Sequence, residues 1–268
     1  MKTREVNSIF EFLELINDLT PYRDFWFRGA AKLEYGLLPG LLWRKDQKFE
    51  SNYIHKFLVG YQAYLDKPIT NPWEQYALMQ HHGLPTRLLD WSASPLSALY
   101  FALHQDPLWE GDRVVWMLEP RSFNKYFHGF ESLVCPAAMA STEIMENDSA
   151  VKGKSWNLNK YLPKILDSLD HYDIPEHAIA IESPFSNKRL AAQHGRFTLH
   201  GTNCESLHTQ LENSGETVLA AFILRTENNL EKFKEQLYGL KVTQETIFQD
   251  LDSLVREIIR LETKNYKE

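Results

Sequence analysis

The chain has 268 residues, 43% hydrophobic and 24% charged, an ordinary balance for a folded globular protein and wrong for a disordered tail. Its formal charge is −7, from 36 acidic and 29 basic residues, which excludes the basic excess of proteins that coat duplex nucleic acid. Two cysteines, Cys135 and Cys204, are too few for a disulfide framework or a four-thiolate zinc site. No apolar run reaches the roughly 18–20 residues that cross a bilayer, and MKTREVNSIF carries no signal-peptide core. The expected location is the cytoplasm, with no membrane partner and no bulk duplex binding; brief contact with nucleic acid as a substrate stays open.

The first element in chain order is SIFEFLELINDL, an amphipathic helix. Ser8 and Glu11 have capping-box spacing, Ile9, Phe12, Leu13, Ile16 and Leu19 make one apolar face, and Pro21 stops it. Phe25-Trp26-Phe27 reads as a short buried strand ended by Arg28-Gly29. Residues 50–65 and 72–80 are helical, the second capped by Asn71 with Pro72 in the first turn. The stretch from Gln80 to Ser92 reads as a connection between two helices, the next being capped by Ser94 with Pro95 in its first turn. Strands follow at Val114–Leu118, Ala178–Glu182, Arg196–His200 and Thr217–Leu224, and Ile247, Leu251, Leu254, Ile258 and Leu261 mark a final helix. Without a regular βαβ rhythm, this order predicts an α+β fold with a central, mainly antiparallel sheet. It is read as one domain over 1–268, with a helical insert about 45–80 and a mobile loop about 135–159.

Four clusters could carry chemistry. Arg28 at a strand end suits a bidentate grip on phosphate or carboxylate, and Gly29 lets a backbone or flat ligand come close; a local ion pair and a plain turn explain the same residues. Gln80-His81-His82-Gly83-Leu84-Pro85-Thr86-Arg87-Leu88-Leu89-Asp90-Trp91-Ser92 packs many polar groups beside apolar ones, so they must satisfy one another or a ligand, and an Arg87–Asp90 pair is the structural option. Arg189 to Thr198 leads into a strand, either as a site platform or as a turn at Gly195. Asp250 and Asp252 are read as helix-capping acids. Neither common phosphate loop and no nucleophile elbow is present, and adjacent His81 and His82 make a poor metal pair, so no metal site is assigned.

Phe27-Arg28-Gly29, the block from Gln80 to Ser92, Ala98-Leu99-Tyr100-Phe101-Ala102 and Gln193-His194-Gly195-Arg196-Phe197-Thr198 together resemble the FRG domain family, named for its Phe-Arg-Gly motif, over roughly residues 8 to 260. A second resemblance, in the order of parts, is to mono-ADP-ribosyltransferases: Arg28-Gly29 for the first motif, Ser92-Ala93-Ser94 with Tyr100-Phe101-Ala102 for the Ser-rich strand and its helix, and Gln193 where an acid is usual. That resemblance implies an ADP-ribosyltransferase-like sheet and an enzyme that cleaves the nicotinamide–ribose bond of NAD to modify a macromolecule, protein or nucleic acid, as a toxin or antiphage effector with an antitoxin as candidate partner. It makes Arg28, Ser92 and Gln193 catalytic, and puts Arg28, Gly29, His81, Arg87 and Ser92 on the NAD. Gln193 brings no charge, so Glu182, Glu205 or Asp90 could replace the acid, or the module could bind a nucleotide or partner without turnover. A metal-assisted nuclease built on His81, His82 and Asp90 is the third option.

Overall fold

The computed structural model describes residues 2–19, 24–139, 143–145, 155–166, 174–183, 188–212 and 218–265. Its strands are β1 (Lys2–Val6), β2 (Trp26–Ala30), β3 (Leu88–Ser92), β4 (Arg113–Leu118), β5 (Glu143–Met145), β6 (Ser155–Asn157), β7 (Ile179–Glu182), β8 (Gly195–Leu199) and β9 (Leu219–Leu224). The helices are α1 (Ile9–Leu19), α2 (Gly40–Trp43), α3 (Glu50–Gly60), α4 (Pro72–His81), α5 (Pro95–His104), α6 (Pro120–His128), α7 (Lys188–Ala192), α8 (Leu207–Gln210), α9 (Leu230–Gly239), α10 (Gln244–Phe248) and α11 (Leu251–Asn265). Among the described residues no helix is long and apolar enough to cross a membrane.

Seven strands make one sheet in the order β1-β9-β4-β2-β3-β8-β7, and β5 pairs with β6 separately. The fold is α+β, but the sheet is mixed, which corrects the mainly antiparallel sheet expected from the sequence: β1 runs parallel to β9, while the other pairings are antiparallel. The cause is β1 itself, a polar-looking strand that pairs its Lys2 with Ala220 far along the chain. A second correction concerns β3, a full sheet strand where a connection between helices was expected. A third is that β2 runs on through Arg28 and Gly29 instead of ending there.

Local capping follows the sequence closely. The Ser8 hydroxyl accepts the Glu11 N–H at 3.1 Å, although the Glu11 carboxylate reaches back to the Asn7 N–H at 2.7 Å rather than to Ser8. Asn71 accepts from the N–H groups of Trp73 and Glu74, and Ser94 accepts from that of Ser97. Pro21 lies outside the described residues, as do residues 140–142 and 146–154 of the expected mobile loop about 135–159, whose described parts include a short turn and the β5–β6 ladder.

Strand alternation sorts the side chains into two faces. On one, Phe27, Val115, Met117, Phe222 and Leu224 pack under α1, α5, α9 and α10; on the other, Trp26, Ala30, Trp91 and Trp116 pack with Phe123 of α6 and Leu207 of α8. A third cluster joins Leu88, Ile179, Phe197 and Leu199 to Ile54, Trp73, Tyr76 and Met79 of α3 and α4. The expected last helix divides in two at Gln249, whose φ of 53° is left-handed. Asp250 then accepts the Ser253 N–H at 2.7 Å and starts α11, as its reading as a capping acid requires.

α5 lies so close to β2 that a Cβ at Gly29 would stand 1.8 Å from the Ala98 carbonyl oxygen and 2.5 Å from the Ala102 nitrogen. Gly29→Ala must therefore push the helix off the sheet. Urea unfolding of this variant should show a loss of about 3 kcal/mol or more, or no folded protein at all.

Candidate functional site

β2 pairs with β4 along its whole length, from Trp26–Leu118 to Ala30–Val114, but with β3 at one position, Phe27–Ser92. Beyond that point the two strands part and leave a fork in the sheet. Arg28 bridges it: its Nη1 donates to the Asp90 carbonyl oxygen at 2.7 Å. That is the one hydrogen bond of its guanidinium among the described residues, and the group is half-buried. Burial holds the Arg28 pKa below its ordinary value, and the Asp90 charge opposes the shift in part.

The Asp90 side chain belongs to a polar chain that starts on α4. The Thr86 hydroxyl donates to the Gln80 side-chain oxygen Oε1 at 2.6 Å, and the Gln80 amide Nε2 donates to the Asp90 carboxylate at 2.7 Å. His81 ends α4 half-buried, edge-on to the His82 ring at 4.9 Å. Burial, then the positive fields of Arg189 and His82, keep His81 below the ordinary histidine range, with Asp90 acting the other way.

The Arg87–Asp90 pair expected as the structural option does not form. Positions three apart along an extended chain point to opposite sides, and Arg87 turns inward. Its Nε donates to Glu50 at 2.9 Å, and its two terminal nitrogens donate to the carbonyls of His200 and Tyr161. Tyr76 completes the knot: its hydroxyl accepts the Arg87 N–H at 2.8 Å and donates to Glu50 at 2.8 Å. Arg87 is 3% exposed and fully engaged, which corrects its placement among ligand-binding groups. Gly29 is corrected likewise, because the close approach it permits is taken by α5.

Ser92 and Gln193 do meet. The Ser92 hydroxyl donates to the Gln193 carbonyl oxygen at 2.5 Å and accepts the Ser94 N–H at 2.9 Å. The Gln193 amide donates to the Ile247 carbonyl oxygen at 3.2 Å, so both side chains are tied to main chain. Ser92 pairs with Phe27 and shares its face, whereas Arg28 alternates to the face of Trp26 and Ala30. The sheet therefore separates the Arg28 side-chain root from the Ser92–Gln193 contact, and Asp90 relates to both sides: its carbonyl holds Arg28, and its side chain, two residues before Ser92 on β3, shares the face of Ser92. Of the other acids considered, Glu182 stands 3.7 Å from Arg196 and Glu205 is exposed in the loop after β8.

The Arg28 side of the sheet holds polar groups that no motif announced. Trp116 is the register partner of Arg28 on β4; it is 1% exposed, and its indole N–H has no hydrogen-bond partner. The ring stacks on His208 at 5.5 Å, and His208 lines a surface cavity of about 650 Å³ with Tyr35, Trp43 and Ser206. His200 is 1% exposed with both ring nitrogens unpartnered. Burial, then Arg87 and Arg28, push its pKa down to about 3, so it is neutral. Buried polar side chains are normally satisfied, so the Trp116 indole and the His200 ring, without partners among the described residues, stand out on or beside the face of Arg28. No group of three or more His, Cys, Asp or Glu among the described residues could hold a metal ion, His81, His82 and Asp90 included.

Two outcomes follow from these contacts. Arg87→Ala leaves Glu50 beside a void with no counter-charge, and urea titration should register a loss of about 3–5 kcal/mol. His200 takes a proton near its ordinary 6.5 when unfolded but only near 3 when folded, and His128, held to about 4 by burial, behaves alike. Stability should thus fall as pH drops below about 6.5, and urea midpoints from pH 7 to 5 should decline less steeply in His200→Leu than in the wild type.

No curated protein and no solved structure matches the chain significantly. A family model does match, over residues 23–108, an interval narrower than the resemblance read from the sequence. That interval holds Arg28, Gly29, the Gln80–Asp90 network and Ser92, and leaves Gln193, His200 and His208 outside. On that match the chain carries an FRG domain, and the Arg28 fork is part of it.

Proposed function

We propose that this FRG domain binds an anionic nucleotide at the fork between β2 and β3, with Arg28 as the cation that grips it. The state of Arg28 carries the reading: a half-buried guanidinium with one hydrogen bond to a carbonyl and no carboxylate partner among the described residues. Removing a cation from water without a counter-charge is costly. A diphosphate would supply that charge and accept the donors left over, in the planar, bidentate manner that suits arginine. NAD is the nucleotide suggested by the likeness to mono-ADP-ribosyltransferases.

A second reading adds turnover, and Asp90 is what favours it. Cleavage of the nicotinamide–ribose bond develops oxocarbenium character, which a carboxylate stabilises. Gln193 offers no charge and its amide is engaged with Ile247. The Asp90 carboxylate is exposed and belongs to the residue that holds Arg28. In this reading the sheet is of the ADP-ribosyltransferase kind, Asp90 takes the acid's part, and a macromolecule accepts the ADP-ribose.

Calorimetric titration with NAD and with ADP tests both readings. Arg28→Ala should abolish binding while the melting temperature falls by only a few degrees, since the single charged hydrogen bond lost contributes about 1.5–3 kcal/mol. Asp90→Asn should keep NAD binding and end nicotinamide release if turnover occurs. A wild type that binds neither nucleotide rejects the proposal.

A further inference from the structure

α11 is amphipathic the wrong way round for a helix that packs on its own core. The side it turns to the body is polar: Ser253 is 2% exposed, and Arg260, bonded to Glu257 of the same helix at 2.8 and 2.6 Å, lies 4.0 Å over the Tyr238 ring. Leu251, Leu254, Val255, Ile258, Ile259 and Leu261 are all exposed, by between 41% and 79%. At about 100° per residue these six occupy an arc of roughly 160° centred opposite Ser253 and Arg260. Within the arc, Leu251, Leu254, Ile258 and Leu261 follow at spacings of three, four and three, the a and d positions of a helix-to-helix seam.

We propose that this face is covered by the same helix of a second copy of the chain, packed antiparallel about a two-fold axis. Leu251 of one copy meets Leu261 of the other, and Leu254 meets Ile258. A two-fold contact must be self-complementary, and an a-to-d seam read in the reverse direction is. Charge selects the orientation. A parallel pair would set Glu257 against Glu262 on both flanks of the seam, whereas the antiparallel pair brings only the two copies of Glu257 near each other, each held by its own Arg260, and opposes the helix dipoles favourably. Charge also argues against a lipid surface. The helix carries Asp252, Glu257 and Glu262 against Arg256, Arg260 and Lys264, no net positive charge, on a chain of net charge −7, while helices that lie on membranes are rich in Lys and Arg. The exposed parts of the six side chains amount to something on the order of 500 Å² per copy, in the upper range for the largest apolar patch of a monomer. Two copies together reach about 1,000 Å², the lower bound for a specific interface.

Sedimentation equilibrium of the full chain tests the proposal. The wild type is expected to be a dimer. Leu254→Glu and Ile258→Glu should each weaken self-association about a hundredfold, with circular dichroism and melting temperature retained because both side chains are exposed in one copy alone. Arg256→Glu, on the polar flank, should leave the dimer intact. With Cys135 and Cys204 replaced by serine, an equimolar mixture of Leu251→Cys and Leu261→Cys should cross-link as a mixed disulfide, and neither variant should cross-link by itself. Self-cross-linking of Leu251→Cys overturns the antiparallel arrangement. A wild type that stays monomeric at every concentration, a dimer that survives Leu254→Glu, or a monomer that binds anionic vesicles through this helix overturns the proposal itself.

Discussion

No side chain fits between β2 and α5 at position 29, and the arrangement around the fork depends on that contact. With Gly29 beneath the Ala98 and Ala102 main chain, α5 rests on the sheet at backbone distance and covers one face of β2. Phe27, on the covered face, becomes core, 3% exposed. Arg28, on the face away from α5 with Trp26 and Ala30, reaches toward β3, where its Nη1 meets the Asp90 carbonyl. Phe27-Arg28-Gly29 is thus three consecutive residues with three different constraints: an apolar one for the core, a long cation for the fork, and none with a Cβ for the helix.

Three arginines leave the surface in this fold, and comparing them shows which one lacks a partner. Arg87 is matched by a carboxylate and two carbonyls. Arg113 sits at the end of α5, where the helix dipole favours a cation, and donates to the carbonyls of Ala102, Gln105, Asp106 and Trp109. Arg28 has one carbonyl. The first two hold the chain together, with every guanidinium nitrogen except the Arg113 Nε hydrogen-bonded. The third has donors and charge in excess of what the fold uses, beside an indole and an imidazole that also lack partners.

The sequence revealed most of what is local and little of what is distant. Ser8, Asn71-Pro72 and Ser94-Pro95 announce helix starts because each cap is settled within a few residues. β1 went unread since Lys-Thr-Arg-Glu-Val has no apolar stripe and owes its strand to β9 at the other end of the chain. β3 did carry a signal, the alternation of buried Leu89 and Trp91, but the dense polar run ahead of it reads as a loop. At the candidate site the meeting of Ser92 and Gln193 was legible from motif order. The separation of Arg28 from them follows from period-two alternation once Phe27 is placed in the core. Glu50, His200 and Trp116 had no pattern to give them away, because their roles exist only after strands far apart in sequence are brought side by side.

The same reasoning explains why the final helix is legible in the sequence while the side it turns to the body is not. Periodicity states that one side is apolar; it does not state on which side the body lies. Gln249 decides that. Its left-handed backbone ends α10 and redirects the chain, so that Ile247 stays buried while Leu251 and the residues after it turn outward. What holds α10 in place is the Gln193 amide on the Ile247 carbonyl, with Arg189 stacked 4.8 Å over Phe248. Ser92, bonded to the Gln193 main chain, passes that anchorage into β3. Its hydroxyl proton and its lone pair are both engaged by the backbone there, so in this arrangement Ser92 and Gln193 act as the joint between the sheet and the C-terminal helices.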